Sequence, residues 1–127
     1  MINLKDGKIK TKEGLSIDSN YTFDDFKSSK FYNGQDGIRI IYLEEKQTMN
    51  GNKFIISLFF REQKIYMVSL ICCDFEFSDS DEPKRKLIHD EFLRKEGISI
   101  DVEYKWGKIT SDYDSKSNLS SINITYI

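Results

Sequence analysis

Two apolar runs in the middle of the chain, residues 53–61 and 64–73, constrain its fold more than any other feature. In the first, Phe54, Ile56, Leu58 and Phe60 fall on one face of an extended strand, and Ile55, Ser57 and Phe59 fall on the other. Apolar residues on both faces predict a central strand covered, at least in part, on both sides. The second run has the same character. Asn50-Gly51 precedes the first run and is the strongest short hairpin signal, because both residues tolerate the positive φ of a two-residue turn. With residues 38–45 as a further β-rich run, a three-stranded meander is the expected heart of the fold. Composition agrees: the chain contains no alanine, a single proline, and Phe 9, Tyr 7 and Trp 1. That is poor material for a helical bundle and ample material for a sheet with an aromatic core.

The remaining elements arrange themselves around this meander as one α+β domain spanning residues 1–127. Asp6-Gly7 between residues 2–5 and 8–12 predicts a small hairpin. Thr22 with Asp25 forms a capping-box pattern, and Phe23 and Phe26 share a face, so a short N-terminal helix is expected there. Residues 33–37, with Gly34 and Gly37, read as a turn. One main helix, about residues 82–96, opens on Asp81-Glu82-Pro83-Lys84, with acidic residues and proline suited to a helix N-terminus. Its expected apolar stripe is Leu87, Ile88, Phe92 and Leu93, and Gly97 stops it. Residues 102–113 and 119–126 form a final hairpin around the turn 114–118. In its last strand Ile122, Ile124 and Tyr126 alternate with Ser121, Asn123 and Thr125, predicting one buried and one wet face. An antiparallel sheet packed by one main helix follows.

Charge narrows the partners. Lys+Arg is 19 and Asp+Glu is 21, a net charge of −2, so nucleic acid, which demands a basic excess, is not an expected partner. The N-terminus opens directly into polar sequence, and no apolar run approaches the ~20 residues needed to span a bilayer. A soluble, cytoplasmic protein without membrane contact is expected. Cys72 and Cys73 are adjacent and point to opposite faces of a strand, so a bond between them would be strained, and two reduced thiols are expected. No ligand spacing for zinc, nucleotide-binding loop or metalloprotease motif is present, so neither a metal nor a cofactor is expected.

Three features bear on chemistry. His89, the only histidine, precedes Asp90, but adjacent helical residues point about 100° apart and do not pair, which favours a packing role. A Cys–His nucleophile would require Cys72 or Cys73 to approach His89 in space. The outstanding feature is Asp74-Phe75-Glu76-Phe77-Ser78-Asp79-Ser80-Asp81-Glu82, five carboxylates and two aromatics with no cation. It reads either as a solvated loop feeding the helix or as an acidic recognition surface. In the second case Asp74, Glu76, Asp79, Asp81 and Glu82 face a basic partner, and Phe75 or Phe77 anchors it.

The second half carries a spaced pattern: Lys86-Leu87-Ile88-His89-Asp90-Glu91-Phe92-Leu93, Gly97, Tyr104-Lys105-Trp106-Gly107-Lys108-Ile109, Ser111-Asp112-Tyr113-Asp114 and Ser120-Ser121-Ile122-Asn123-Ile124-Thr125-Tyr126. Over residues 50–127 it resembles the small bacterial immunity proteins encoded beside polymorphic or contact-dependent growth inhibition toxins. The resemblance implies a non-catalytic protein that binds the C-terminal domain of one cognate toxin, many of which are basic nucleases. Trp106, Gly107 and Tyr113 are assigned to the fold, Trp106 beneath the helix and Gly107 at a bulge or close backbone approach. Exposed edge strands leave a monomer or a homodimer open. The competing expectation is a small enzyme or ligand-binding domain with a pocket near His89.

Overall fold

A computed structural model of the chain describes residues 1–35, 39–100 and 102–127. At its centre, β5 (Asn52–Arg61) and β6 (Lys64–Cys72) pair antiparallel in the register Phe54↔Cys72 through Phe59↔Met67. The tight turn between them places Glu62 and Gln63 at positive φ (51° and 71°), as a two-residue hairpin of the favoured twist requires. Phe54, Ile56 and Leu58 have no exposure at all, and Phe60 has 5%.

The run before β5 departs from the expected meander. It divides into β3 (Ile40–Tyr42) and β4 (Gln47–Met49), which lie along the same edge of β5, β3 against its second half and β4 against its first. Asn50-Gly51 joins β4, not residues 38–45, to β5, with φ of 49° and 81°. The interruption falls at exposed Glu44, Glu45 and Lys46. Buried Gln47 takes up the Glu45 carbonyl with its Nε2 (3.1 Å) and accepts the Thr11 hydroxyl at Oε1 (2.6 Å). Of the expected turn 33–37 and strand 38–45, Asp36, Gly37 and Ile38 lie outside the described residues.

Among the described residues the large sheet has seven strands: β7 (Glu103–Tyr104), β8 (Gly107–Asp114) and β9 (Leu119–Tyr126) complete the order β3–β5–β6–β9–β8–β7, with β4 also beside β5. β9 returns from the C-terminus to lie between β6 and β8. Its Ile122, Ile124 and Tyr126 are buried and Ser121, Asn123 and Thr125 half-buried, as the alternation predicts. One face of the sheet carries α2 (Glu82–Lys95), which packs against β6, β8 and β9. The same face receives α1 (Phe23–Lys27), whose Phe23 and Phe26 rings meet Phe60. The capping box of α1 forms as expected: Asp25 N–H donates to Thr22 Oγ1 (3.1 Å) and Thr22 N–H to the Asp25 carboxylate (2.9 Å). The expected N-terminal hairpin forms around Asp6-Gly7 in short form: Ile2 bridges Ile9, Asn3 N–H donates to the Lys8 carbonyl (2.8 Å) and Lys10 N–H to the Met1 carbonyl (2.9 Å). β1 (Ile9–Lys10) also pairs with β2 (Ser16–Ile17).

Two expectations are corrected. The buried face of α2 consists of Glu82, His89, Phe92 and Leu93, with Ile88 half-buried and Leu87 68% exposed. Positions 82, 89, 92 and 93 lie on one side of a helix, and residue 87 points about 160° away from 89. The second correction concerns residues 102–113, which are not one strand. They turn after β7 (Glu103–Tyr104) and resume as β8. The turn sends Trp106 against the N-terminal loop: its Nε1 donates to the Leu4 carbonyl (2.8 Å), and its ring stacks on Tyr104 (5.2 Å, 4° between planes) and covers Gly7. The indole is buried as expected, but it joins the two ends of the chain.

Gly107 is the close backbone approach that the sequence suggests. Its φ is +150°, and a Cβ at this position would overlap the Thr125 carbonyl oxygen of the neighbouring strand. Gly107→Ala is expected to destabilise the fold by about 3 kcal/mol, lowering Tm by roughly 10 °C in a thermal melt. An unchanged Tm would show that β8 and β9 can part without loss.

Candidate functional site

The acidic segment leaves the end of β6 and enters α2 through the 3-10 turn Asp79–Asp81. Its seven candidate residues do not form one surface. Asp74 turns back on the sheet, accepting the Lys53 N–H (2.7 Å), the Asn52 side-chain amide (2.8 Å) and the Cys72 thiol (3.4 Å). Burial works against its charge, but these donors prevail and hold the carboxyl below its ordinary pKa. Asp81 is held below its ordinary pKa by the Ser78 N–H and hydroxyl (3.1 and 3.0 Å), which close the turn.

Glu82 is a clear departure from an exposed acidic surface. It is 4% exposed, and its carboxylate accepts the Ser120 N–H (2.9 Å) and an Arg85 guanidinium N–H (2.8 Å), tying α2 to β9. Arg85 in turn lies over the Phe77 ring at 4.1 Å, so Phe77 is half-buried and serves as a wall for that ion pair. Phe75 packs edge-on against Phe77 (6.1 Å) yet stays 64% exposed.

Phe75, Glu76 and Asp79 therefore remain as the outward part of the segment. The fold extends them in a direction the linear sequence hides. The Asn118 side-chain amide donates to the Asp79 carbonyl (2.8 Å), seating the β8–β9 turn beside the loop. That turn brings exposed Asp114, and exposed Asp112 lies two residues further along β8, with Lys116 in the turn itself. Asp114 is in a turn whose Lys116 N–H and Ser117 hydroxyl it accepts (both 3.0 Å). Tyr113, assigned to the fold, is 48% exposed and donates its hydroxyl to Asn118 (2.7 Å), so it braces this turn from outside.

The space between β6 and α2 does bring Cys72 to His89, but by its main chain. The Cys72 N–H donates to His89 Nε2 (2.9 Å), which places the proton of the neutral ring on Nδ1, an atom with no hydrogen-bond partner among the described residues. The ring is wholly buried beside Phe54. Burial first, then the neighbouring Arg85 and Lys86 charges, push its pKa from 6.5 down to about 4, against an opposing pull from Asp90. Asp90 accepts from Lys86 (2.9 Å) and the Ser111 hydroxyl (2.6 Å) and makes no bond to His89. The Cys72 thiol is turned to Asp74, and burial pushes it up to about 11. Thiol and imidazole therefore do not form an activated pair. Surface clefts of about 320 Å³ at the β7–β8 edge and 310 Å³ beside Phe31 and Leu43 are not lined by His89. Cys73 is half-buried and, like Cys72, free. Among the described residues no group of three His, Cys, Asp or Glu side chains is placed to hold a metal, and no helix is long and apolar enough to cross a membrane.

A second surface escaped the sequence pattern. The face of β5 and β6 opposite the helices carries Ile55 (39% exposed) and half-buried Phe59, Met67 and Ile71, flanked on β3 by Ile40 and by Tyr42 (67% exposed). Apolar residues on both faces predicted cover on this side at least in part, and these side chains are covered only in part. Compared with protein-family models, with curated proteins and with solved structures, the chain gives no match in any of the three.

Two consequences follow for stability. Because the folded His89 pKa lies below the unfolded value, the unfolded chain takes up the proton first as pH falls. Stability is full above pH 6.5 and declines down to about pH 4, by up to about 3 kcal/mol. His89→Gln, which can still accept from Cys72, is expected to remove that part of the decline in urea titrations across this range. An identical slope in both proteins would exclude a buried neutral imidazole. Glu82→Ala strands the Ser120 N–H and the Arg85 guanidinium, and is expected to cost about 3 kcal/mol in the same assay at pH 7.

Proposed function

We propose that this chain acts by stoichiometric protein binding, as an immunity protein that neutralises the C-terminal domain of a cognate bacterial toxin, and that it is not itself an enzyme. One observation carries the acidic interface. Phe75, Glu76 and Asp79 stand exposed on the loop before α2, and the Asn118–Asp79 contact seats beside them the β8–β9 turn, whose β8 side carries exposed Asp114 and Asp112. An aromatic anchor beside carboxylates on an otherwise mildly acidic chain suits a basic protein surface, where charge sets encounter rate and partner choice. The resemblance of residues 50–127 to immunity proteins names the class of partner, and a basic nuclease is the toxin such a surface would best oppose. Its cleft must attract phosphates, and carboxylates seated there compete for the same cations.

The interface on this reading is narrower than the acidic run suggests. Asp74, Asp81 and Glu82 hold the loop in place from within, and Phe77 supports Arg85. The functional carboxylates are then Glu76 and Asp79, with Asp112 and Asp114 contributed by the neighbouring hairpin.

The test is co-expression with the protein encoded immediately upstream of this chain, scored by growth rescue and by Kd at two salt concentrations. The Glu76→Ser/Asp79→Ser double variant is expected to bind at least tenfold more weakly at low salt, with the difference shrinking as salt rises. Phe75→Ala is expected to weaken binding at both. Rescue that is indifferent to all three changes would move the interface elsewhere. Absence of both complex and rescue would dismiss the immunity function.

A further inference from the structure

The two edges of the large sheet differ in length. One is made by β3 and β4, three residues each. At the other, β7 pairs only with Gly107 and Lys108, so among the described residues no strand lies beside residues 109–114 of β8. The ladder fixes which main-chain groups are left over. Ile127 N–H donates to the Trp106 carbonyl (2.9 Å), which makes 106↔127 a bonded pair, and bonded pairs recur at every second residue, at 108, 110, 112 and 114. The N–H and C=O groups of Gly107, Ile109, Ser111 and Tyr113 therefore point away from β9. β7 takes those of Gly107, while those of Ser111 and Tyr113 face the open side of the sheet.

Side chains give this edge two unlike borders. Ser111 lies on the helix face, its hydroxyl donating to Asp90 (2.6 Å), and alternation places Tyr113, 48% exposed, on that face as well. Leu87 stands about 60° round α2 from Asp90, on the flank toward β8, and is 68% exposed. On the opposite face, Asp112 and Asp114 are the only charged residues between Lys108 and Lys116. Asp112 is fixed there by the Thr110 hydroxyl (2.6 Å) and the Asn123 side-chain amide (2.8 Å).

We infer that the toxin domain docks by adding an extended segment of its own to this edge, as a further strand in line with β7, in which basic side chains alternate with apolar ones. This rests on the immunity reading above. Main-chain bonds to Ser111 and Tyr113 supply affinity. Cations opposite Asp112 and Asp114 on one face, and apolar side chains against Tyr113 and Leu87 on the other, select the segment. The free edge is roughly 20 Å long at about 3.3 Å per residue. It ends at the β8–β9 turn, which Asn118 seats beside Asp79, so the added strand leads to the acidic loop and shares one interface with it.

Charge selects a basic segment over a second copy. Two copies pairing antiparallel through this edge about a two-fold axis must match outward-facing residues 109, 111 and 113 with one another. Centred on 113, the pairing opposes Asp112 to Asp114 twice. Centred on 112, it opposes Asp112 to itself. Centred on 111, it drives residue 114 into the position β7 holds beside Lys108. Like charges directly opposite destabilise a ladder, so these carboxylates guard the edge against its own kind and leave it to a strand that carries cations.

The test is amide hydrogen exchange, read residue by residue by NMR, on the free chain and on its complex with the C-terminal domain of the protein encoded immediately upstream. In the free chain the Ser111 and Tyr113 amides are expected to exchange at least tenfold faster than those of Thr110 and Asp112, which β9 holds. In the complex they are expected to slow at least tenfold, while Thr110 and Asp112 change little. Tyr113→Pro deletes an outward N–H that Tyr113→Ala retains. The proline variant is expected to bind at least tenfold more weakly than the alanine variant, with circular dichroism verifying that both fold. Ser111 and Tyr113 amides already slow in the free chain overturn the strand addition. So does a complex that rescues growth and leaves them fast, an outcome under which the immunity function stands. Absence of both complex and rescue overturns the two readings together.

Discussion

Everything in this fold leans on the inner row of β5. Phe54, Ile56, Leu58 and Phe60 line one face of a ten-residue strand and are almost entirely withdrawn from water. Both helices and β6 reach the core by meeting that row. Phe92 packs on Phe54 at 4.9 Å, Phe23 and Phe26 converge on Phe60, and β6 is registered against the whole row. Burying such side chains is worth about 1.5–3 kcal/mol each, more than any single polar contact in the molecule contributes. The polar contacts set geometry. His89 to the Cys72 N–H, Glu82 to the Ser120 N–H and Trp106 to the Leu4 carbonyl each fix one element's position on a core that apolar burial already favours.

The same division explains why charge along the chain overstates charge on the surface. Five carboxylates occur in nine residues, yet the backbone of a loop between strand and helix exposes N–H groups that need acceptors. Asp74 supplies one to β5, Asp81 one to the 3-10 turn, and Glu82 one to β9. These groups shape the loop and are withdrawn from any partner. What faces outward is set by what is left over, together with carboxylates that a distant hairpin brings alongside.

Much of the architecture was legible in the chain. The period-two alternation of β5 and β9, the Asn50-Gly51 turn, the Thr22–Asp25 capping box and the helix opening at Glu82-Pro83 are local signals, and each acts through neighbours a few residues away. Gly107 was legible for the same reason, since a lone glycine in a strand pattern marks a position with no room for a side chain. The α2 stripe was misplaced by the presence of Leu87. Helical spacing alone allows more than one apolar arc, and only the docking of Phe92 and Leu93 against the sheet selects the arc that contains His89 and Glu82 and leaves Leu87 in water.

Sequence by itself thus determined that this chain builds an antiparallel sheet with one main helix, because burial patterns of period two and 3.6 are properties of the strand and the helix alone. It also determined that the acidic run sits between strand and helix. Tertiary structure alone decided that β9 enters between β6 and β8, that Trp106 joins the two ends of the chain, and that the β8–β9 turn lies beside Asp79. It also decided that the second face of β5 stays open. Alternation states that a side chain is apolar and which way it points; whether anything lies over it depends on where distant segments come to rest.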